Sequence, residues 1–144
     1  MSMTPDRIAT ATITIDAPPK EVWKALVDPV AAKQYMFGAE VRSDYKEGSP
    51  ITWSGQWQGK PFQDKGKILN AEPGRRLQYT HFSPLTGQPD VPENYHTVTI
   101  ELAASNGHTN VTLTQNNNAT DDARKHAEQN WKTMLESLKK VVEG

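Results

Sequence analysis

The sequence predicts an α+β fold in which a curved antiparallel sheet closes around one long C-terminal helix. Three observations lead there. Segments 95–104 and 109–117 alternate apolar and polar residues on either side of Asn106-Gly107, a pair suited to a type I′ hairpin turn because both residues tolerate positive φ. That hairpin runs into an amphipathic stretch whose apolar face carries Trp131, Met134, Leu135, Leu138 and Val142 at helical spacing. Such a stripe must be buried, and the only large apolar surface on offer is the inward face of the sheet.

The remaining elements follow in order. Residues 10–16 alternate threonine with Ala11, Ile13 and Ile15, the period of a half-buried strand. Ala17-Pro18-Pro19 stops it, and Val22, Trp23, Leu26 and Val27 then recur at helical spacing, so 19–27 reads as a short helix opened by proline. Asp28-Pro29 ends that helix or bends it into a second one through Tyr35. Strand character follows at 40–43, 50–58, 62–71, 76–83, 95–104 and 109–117, broken by Glu47-Gly48, Gly59-Lys60-Pro61, Glu72-Pro73-Gly74 and Asn106-Gly107. Residues 84–94, rich in proline, read as one long loop. Thr120 is placed to cap the terminal helix, Asp121 and Asp122 put negative charge on its N-terminus, and Lys139-Lys140 complement its other end. The sum is about six to seven strands in a meander, two short helices after the first strand, and one long helix.

Composition narrows the function. A chain of 144 residues fits one domain spanning 1–144. With a formal charge of −1 and interspersed charges, no positive field exists to hold a nucleic-acid backbone or an anionic membrane. Apolar runs are too short for membrane insertion, and residues 1–10 lack a signal-peptide core, so a cytoplasmic protein is expected. The absence of cysteine excludes disulfides, thiolate metal sites and cysteine nucleophiles.

Strand parity then selects the residues that face inward. Val98, Ile100 and Leu102 share a face, as do Val111 and Leu113; continued toward the strand ends, that parity brings in His96, Gln115 and Asn117. Leu77, Tyr79 and His81 form the inward set of one strand and Ile51, Trp53, Gly55 and Trp57 that of another. From the terminal helix, Met134 faces the sheet and Asn130, at the edge of the apolar stripe, reaches the enclosed space more readily than His126. Half of the interior is thus aliphatic and half aromatic with polar tips, the makeup of a small-molecule pocket. The expected ligand-binding residues are Trp53, Trp57, Tyr79, His81, His96, Val98, Gln115, Asn117, Asn130 and Met134.

Each has a plainer reading. Trp53 and Trp57 at period two are more often core than ligand platform, and Trp23 and Trp131 are expected in the core. His81 and His96 line a pocket or are satisfied histidines at the sheet end; no metal is expected, since no spaced His/Asp/Glu cluster supplies three or four ligands. Asp64 shares parity with Ile68 and is a weak acid-base candidate beside the commoner solvated strand-end carboxylate. No serine sits in a nucleophile elbow and no glycine-rich phosphate loop follows a strand, so no catalytic residue and no cofactor is assigned.

Four segments carry a resemblance. Ile13-Thr-Ile-Asp-Ala-Pro-Pro-Lys-Glu-Val-Trp23, Trp57-Gln-Gly-Lys-Pro-Phe62, the run 68–82 with Glu72-Pro73-Gly74 and Leu77-Gln-Tyr-Thr-His-Phe82, and Asn130-Trp-Lys-Thr-Met-Leu135 resemble the START-like (SRPBCC) superfamily. The chain is most similar to the branch containing the C-terminal domain of Aha-type activators of the heat-shock protein 90 ATPase. The resemblance implies a helix-grip fold around a deep hydrophobic cavity, and it looks like the small stand-alone bacterial members, without the partner domain of the eukaryotic activators. It leaves three functions open: binding of a small hydrophobic or amphipathic molecule without catalysis, a polyketide cyclase or dehydratase using a histidine for proton transfer, and a protein-binding role in chaperone regulation or stress response.

Overall fold

Alternating threonine and apolar residues produce the first strand, β1 (Ala9–Ile15), and the two prolines behind it start α1 (Pro19–Val27). The computed structural model describes residues 7–144, apart from the side chain of Trp57. Asp28 ends α1 and caps α2 (Pro29–Tyr35), its carboxylate accepting from the Val30 N–H. Then come β2 (Glu40–Arg42), β3 (Pro50–Trp57), β4 (Lys60–Glu72), β5 (Arg76–His81), β6 (His96–Ser105), β7 (His108–Gln115) and α3 (Asp121–Glu143). Thr120 caps α3 as its sequence position demands, accepting from the Ala123 N–H at 3.0 Å.

The seven strands form one antiparallel sheet in the order β1-β7-β6-β5-β4-β3-β2. Sequential neighbours build the meander from β2 to β7, and β1 adds beside β7 at the far edge. This is the α+β helix-grip arrangement. Its hairpin turns obey backbone chemistry: Asn106 and Gly107 take φ of 51° and 83°. The turn between β3 and β4 differs from expectation. Gln58 and Gly59 occupy it with positive φ, while Lys60 and Pro61 belong to β4. Residues 84–94 are likewise not uniform loop, because Pro84 and Pro92 each open a short 3₁₀ turn.

Two irregularities bend β4. Pairing slips between Ile68↔Tyr79 and Asn70↔Gln78, which leaves Leu69 as an exposed extra residue. At Gly66 the neighbouring strand comes so close that a Cβ would stand 1.7 Å from the Thr80 carbonyl oxygen. Only glycine fits there.

The core fills the concave face. Leu77, Val98, Ile100, Val111 and Leu113 from the sheet meet Met134, Leu135 and Leu138 of α3, all essentially buried. Fully burying each aliphatic side chain contributes about 1.5–3 kcal/mol relative to exposure. Polar groups enclosed with them are paired: the Tyr35 hydroxyl donates to the Leu26 carbonyl at 2.7 Å, and the buried Thr109 hydroxyl donates to Ala17 O at 2.7 Å. Along the outer edge of β1, side chains of α3 take up backbone groups. Glu128 accepts from Thr10 N–H, Glu143 from Asp16 N–H, and Lys139 donates to Thr14 O. Lys139 therefore serves the sheet edge as well as the helix end. No helix among the described residues is long and apolar enough to cross a membrane.

Two predictions follow from this packing. Gly66→Ala should destabilise the fold by about 3 kcal/mol or more in urea unfolding, because backbone must move. Gly55→Ala, whose Cβ would press only on the Phe62 ring at 3.1 Å, should cost less than about 1.5 kcal/mol. Burial also raises the Tyr45 phenol to about 12 and the Tyr79 phenol further, so both favour the neutral form in the folded state. Their contribution is complete below the ordinary tyrosine range near about 10 and is lost as pH rises through the folded values. Denaturation at stepped alkaline pH should therefore show a decline beginning near pH ~10, shallower in Tyr45→Phe.

Candidate functional site

The interior that the resemblance leads one to expect is closed. Tyr35, Val41 and Tyr45 pack against Trp53, Tyr79 and Met134, and the space left among them is about 10 Å³, no more than one water requires. An open volume lies beyond the end of this core, where a groove of about 570 Å³ separates the first half of α3 from the ends of β6 and β7. That is an ordinary size for a small-molecule site. A shallower hollow of about 610 Å³ lies elsewhere, between α2 and β2.

Four parts of the chain build the groove. From α3, Ala123, His126, Ala127, Asn130, Trp131 and Met134 follow one another at helical spacing and form one wall. His96 and Gln115 stand on the opposite wall, and residues 117–119 form the turn that joins β7 to α3. Gln88, Glu93 and Asn94 come from the proline-rich connection, which is tied down by the Lys65–Asp90 ion pair and by the Tyr95 hydroxyl donating to Asp90 at 2.6 Å. The Lys65 ammonium, with help from Tyr95, holds the Asp90 carboxyl below its usual range. Met36 and Phe37, at the end of α2, complete the rim.

The polar wall is an internally bonded scaffold. The Trp131 indole N–H donates to Gln115 Oε1 at 2.6 Å, and Gln115 Nε2 donates to Asn118 Oδ1 at 3.1 Å. Asn118, nearly buried, donates in turn to the carbonyls of Arg7 at 2.7 Å and Gln115 at 3.0 Å. Asn117 adopts a left-handed φ of 58° and donates to the carbonyls of Glu93 and Tyr95, joining the end of β7 to the connection. His96 Nδ1 lies 2.9 Å from the Asn116 carbonyl oxygen.

Behind His96 the polar row continues into the sheet. The His81 ring lies nearly parallel to that of His96 at 6.5 Å, and Trp53 meets it edge-on at 4.9 Å. His81 Nε2 lies 2.9 Å from Asp64 Oδ2, placed to donate its N–H to the carboxylate, while Asp64 Oδ1 is buried without a partner among the described residues. Among the described residues, no three His, Asp or Glu side chains converge to hold a metal.

Among the described residues, the groove walls carry one carboxylate, Glu93, two histidines, and neither lysine nor arginine; a neighbouring guanidinium, that of Arg7, is bonded to the Ala119 carbonyl and paired with Asp121.

A family model described as Activator of Hsp90 ATPase homolog 1-like protein matches residues 16–143. The chain belongs to this family. Among solved structures, the solution structure of ChR145 from Cytophaga hutchinsonii is similar at 54% identity, covering 99% of this chain and 97% of that one with a TM-score of 0.84. The Aha1 dimer from Colwellia psychrerythraea shares the fold at 21% identity, 94% and 96% coverage and TM-score 0.72. CalU16 from Micromonospora echinospora shares it at 22% identity, 98% and 87% coverage and TM-score 0.70. A search of curated proteins found no match. The Aha1-like family lies within the START-like (SRPBCC) superfamily, and its helix grip is the fold described above.

Within this family member the structure sorts the expected residues into two groups. His96, Gln115, Asn117, Asn130 and Met134 come together on the groove. Trp53, Tyr79 and Val98 face inward but sit in packed core, because α2 and residues 41–45 fill the space before them. His81 stands one ring behind the groove, and the Trp57 side chain lies outside the described ones. Trp131 is a correction in the other direction: expected in the core, it is only half-buried and spends its N–H on the groove scaffold.

Phe37 was not anticipated. It occupies the C′ position after α2, where the Gly38 N–H returns to the Lys33 carbonyl at 2.8 Å, and it adopts a φ of 57° with 64% of its surface exposed. A bulky residue in the left-handed region costs roughly 1–2 kcal/mol there. Phe37→Gly should therefore leave stability unchanged or raise it by up to about 1 kcal/mol in thermal or urea unfolding, while weakening whatever the groove binds.

Proposed function

We propose that the groove between α3 and the ends of β6 and β7 binds one small, uncharged amphipathic molecule, and that the protein works as a single-domain carrier or sensor without catalysis. One observation carries this reading. A 570 Å³ groove has alanine, methionine and tryptophan on its walls, a polar scaffold held by its own hydrogen bonds, and, among the described residues, no lysine or arginine in its lining to meet an acid. Apolar walls supply affinity, and fixed polar groups supply orientation. A carboxylate would be desolvated beside Glu93 with no lysine or arginine among the described lining residues, which disfavours fatty acids and phosphates. A chain without cysteine suits work in a reducing cytoplasm.

A catalytic reading rests on a separate feature, the Asp64–His81 pair with its unpartnered carboxylate oxygen. An oriented imidazole is the usual proton-transfer group of a cyclase or dehydratase. That reading requires turnover of a carbonyl substrate that is lost in His81→Ala with melting temperature retained.

The binding reading is tested by native mass spectrometry of protein purified from its own host, and by thermal shift with 2-naphthol against 2-naphthoate. The neutral probe should raise the melting temperature with concentration, by a stabilisation of about 2.7 kcal/mol at a hundred times its dissociation constant. The carboxylate should bind at least about tenfold more weakly. Tighter binding of the carboxylate would sink the electroneutral reading; absence of any retained molecule or shift would move the search to protein partners.

A further inference from the structure

We propose that His96 selects the occupant of the groove: its Nε2 is a fixed acceptor that takes a hydrogen bond from a hydroxyl or amide N–H of the bound molecule. This rests on the groove being the binding site. A neutral imidazole holds one hydrogen, and the nitrogen that holds it is decided by the partners on offer. For His96 the partner at Nδ1 is the Asn116 carbonyl at 2.9 Å, and a carbonyl can only accept. Nδ1 therefore carries the hydrogen and Nε2 carries a lone pair. The amide nitrogen of Gln115 is farther off, 3.4 Å from Nδ1, and a lone pair on Nδ1 placed to accept its second hydrogen would face the Asn116 carbonyl oxygen at 2.9 Å, so it does not reverse the assignment.

Among the described residues, nothing uses that lone pair. No described group bonds His96 Nε2, and the buried polar atoms left without partners are Asp64 Oδ1, Asn70 Oδ1 and Arg76 Nε. His96 lines the groove, so Nε2 stays open to its contents. The neighbouring Gln115 amide is held at both ends, by Trp131 and by Asn118. A ligand that covers His96 with only ether or hydrocarbon atoms leaves Nε2 desolvated and unpaired, whereas one that presents an O–H or N–H replaces the water it displaces. The class selected is an apolar molecule bearing an uncharged donor, such as a phenol, an alcohol or a secondary amide.

The test uses two probes with the same apolar body, 2-naphthol and 2-methoxynaphthalene, titrated calorimetrically into the full chain. The naphthol should bind roughly ten- to a hundredfold more tightly. In His96→Phe, which keeps a ring beside His81, the two probes should become equivalent, with the methoxy compound held within about threefold of its original affinity. Equal binding of both probes by the unmodified protein overturns the inference while leaving groove binding intact. If neither probe binds, the groove reading falls and takes this inference with it. Independently of any ligand or variant, nitrogen-15 spectra of the free protein should show the His96 hydrogen on Nδ1. A hydrogen on Nε2 would overturn the assignment.

Discussion

The docking of α3 across the concave face of the sheet is the constraint on which the rest of the molecule depends. Met134, Leu135 and Leu138 are the helical side of that contact, and Val98, Ile100, Val111 and Leu113 are the sheet side. Neither surface is stable alone: an amphipathic helix draws most of its stability from packing its apolar face, and a one-sided sheet leaves its apolar face wet. Along the N-terminal half of the helix, Ala123 and Ala127 stand where the C-terminal half has large apolar residues, and the groove lies against that half.

What keeps the space from collapsing is the carboxamide scaffold. Trp131 is large enough to close the gap, yet its indole nitrogen is held at Gln115, which is held at Asn118, which is held at the Arg7 backbone. A chain of neutral hydrogen bonds of this kind loses little by being half wet, and each member fixes the rotamer of the next. The asparagine run after β7 is therefore architectural: Asn116 receives the Thr97 N–H at 2.6 Å, Asn117 joins the connection, and Asn118 supports Gln115.

How much of this was legible in the sequence depends on the range of the interaction that decides each residue. Parity along β6 and β7 and helical spacing along α3 are local and steep, so the inward faces, the cap at Thr120 and the turn at Asn106-Gly107 could be read directly. Asn117 also reaches the groove, but through a left-handed backbone after the strand has ended rather than by strand alternation. Trp53 and Tyr79 were legible as inward residues, but whether inward means core or cavity was decided by Tyr35 and Tyr45, which lie far away in sequence. Phe37 gave one local signal, a large apolar residue just before Gly38 at the end of a short helix. The share of the groove built by Gln88, Glu93 and Asn94 gave none, because it depends on the Lys65–Asp90 tether.

The side chains of α3 that reach the outer edge of β1 also bear on how copies of this protein meet. Thr10, Thr14 and Asp16 direct backbone groups outward, and these are already occupied by Glu128, Lys139 and Glu143. A strand approaching from another molecule would have to displace charged partners from that side. The opposite edge is the three-residue β2, short and flanked by the charges of Glu40 and Arg42. A sheet with one margin blocked can be extended only at the other, so any pairing through β2 joins two molecules and then stops. The polarity of the fold thus works against open-ended fibres, and it is set by the same helix that forms the core.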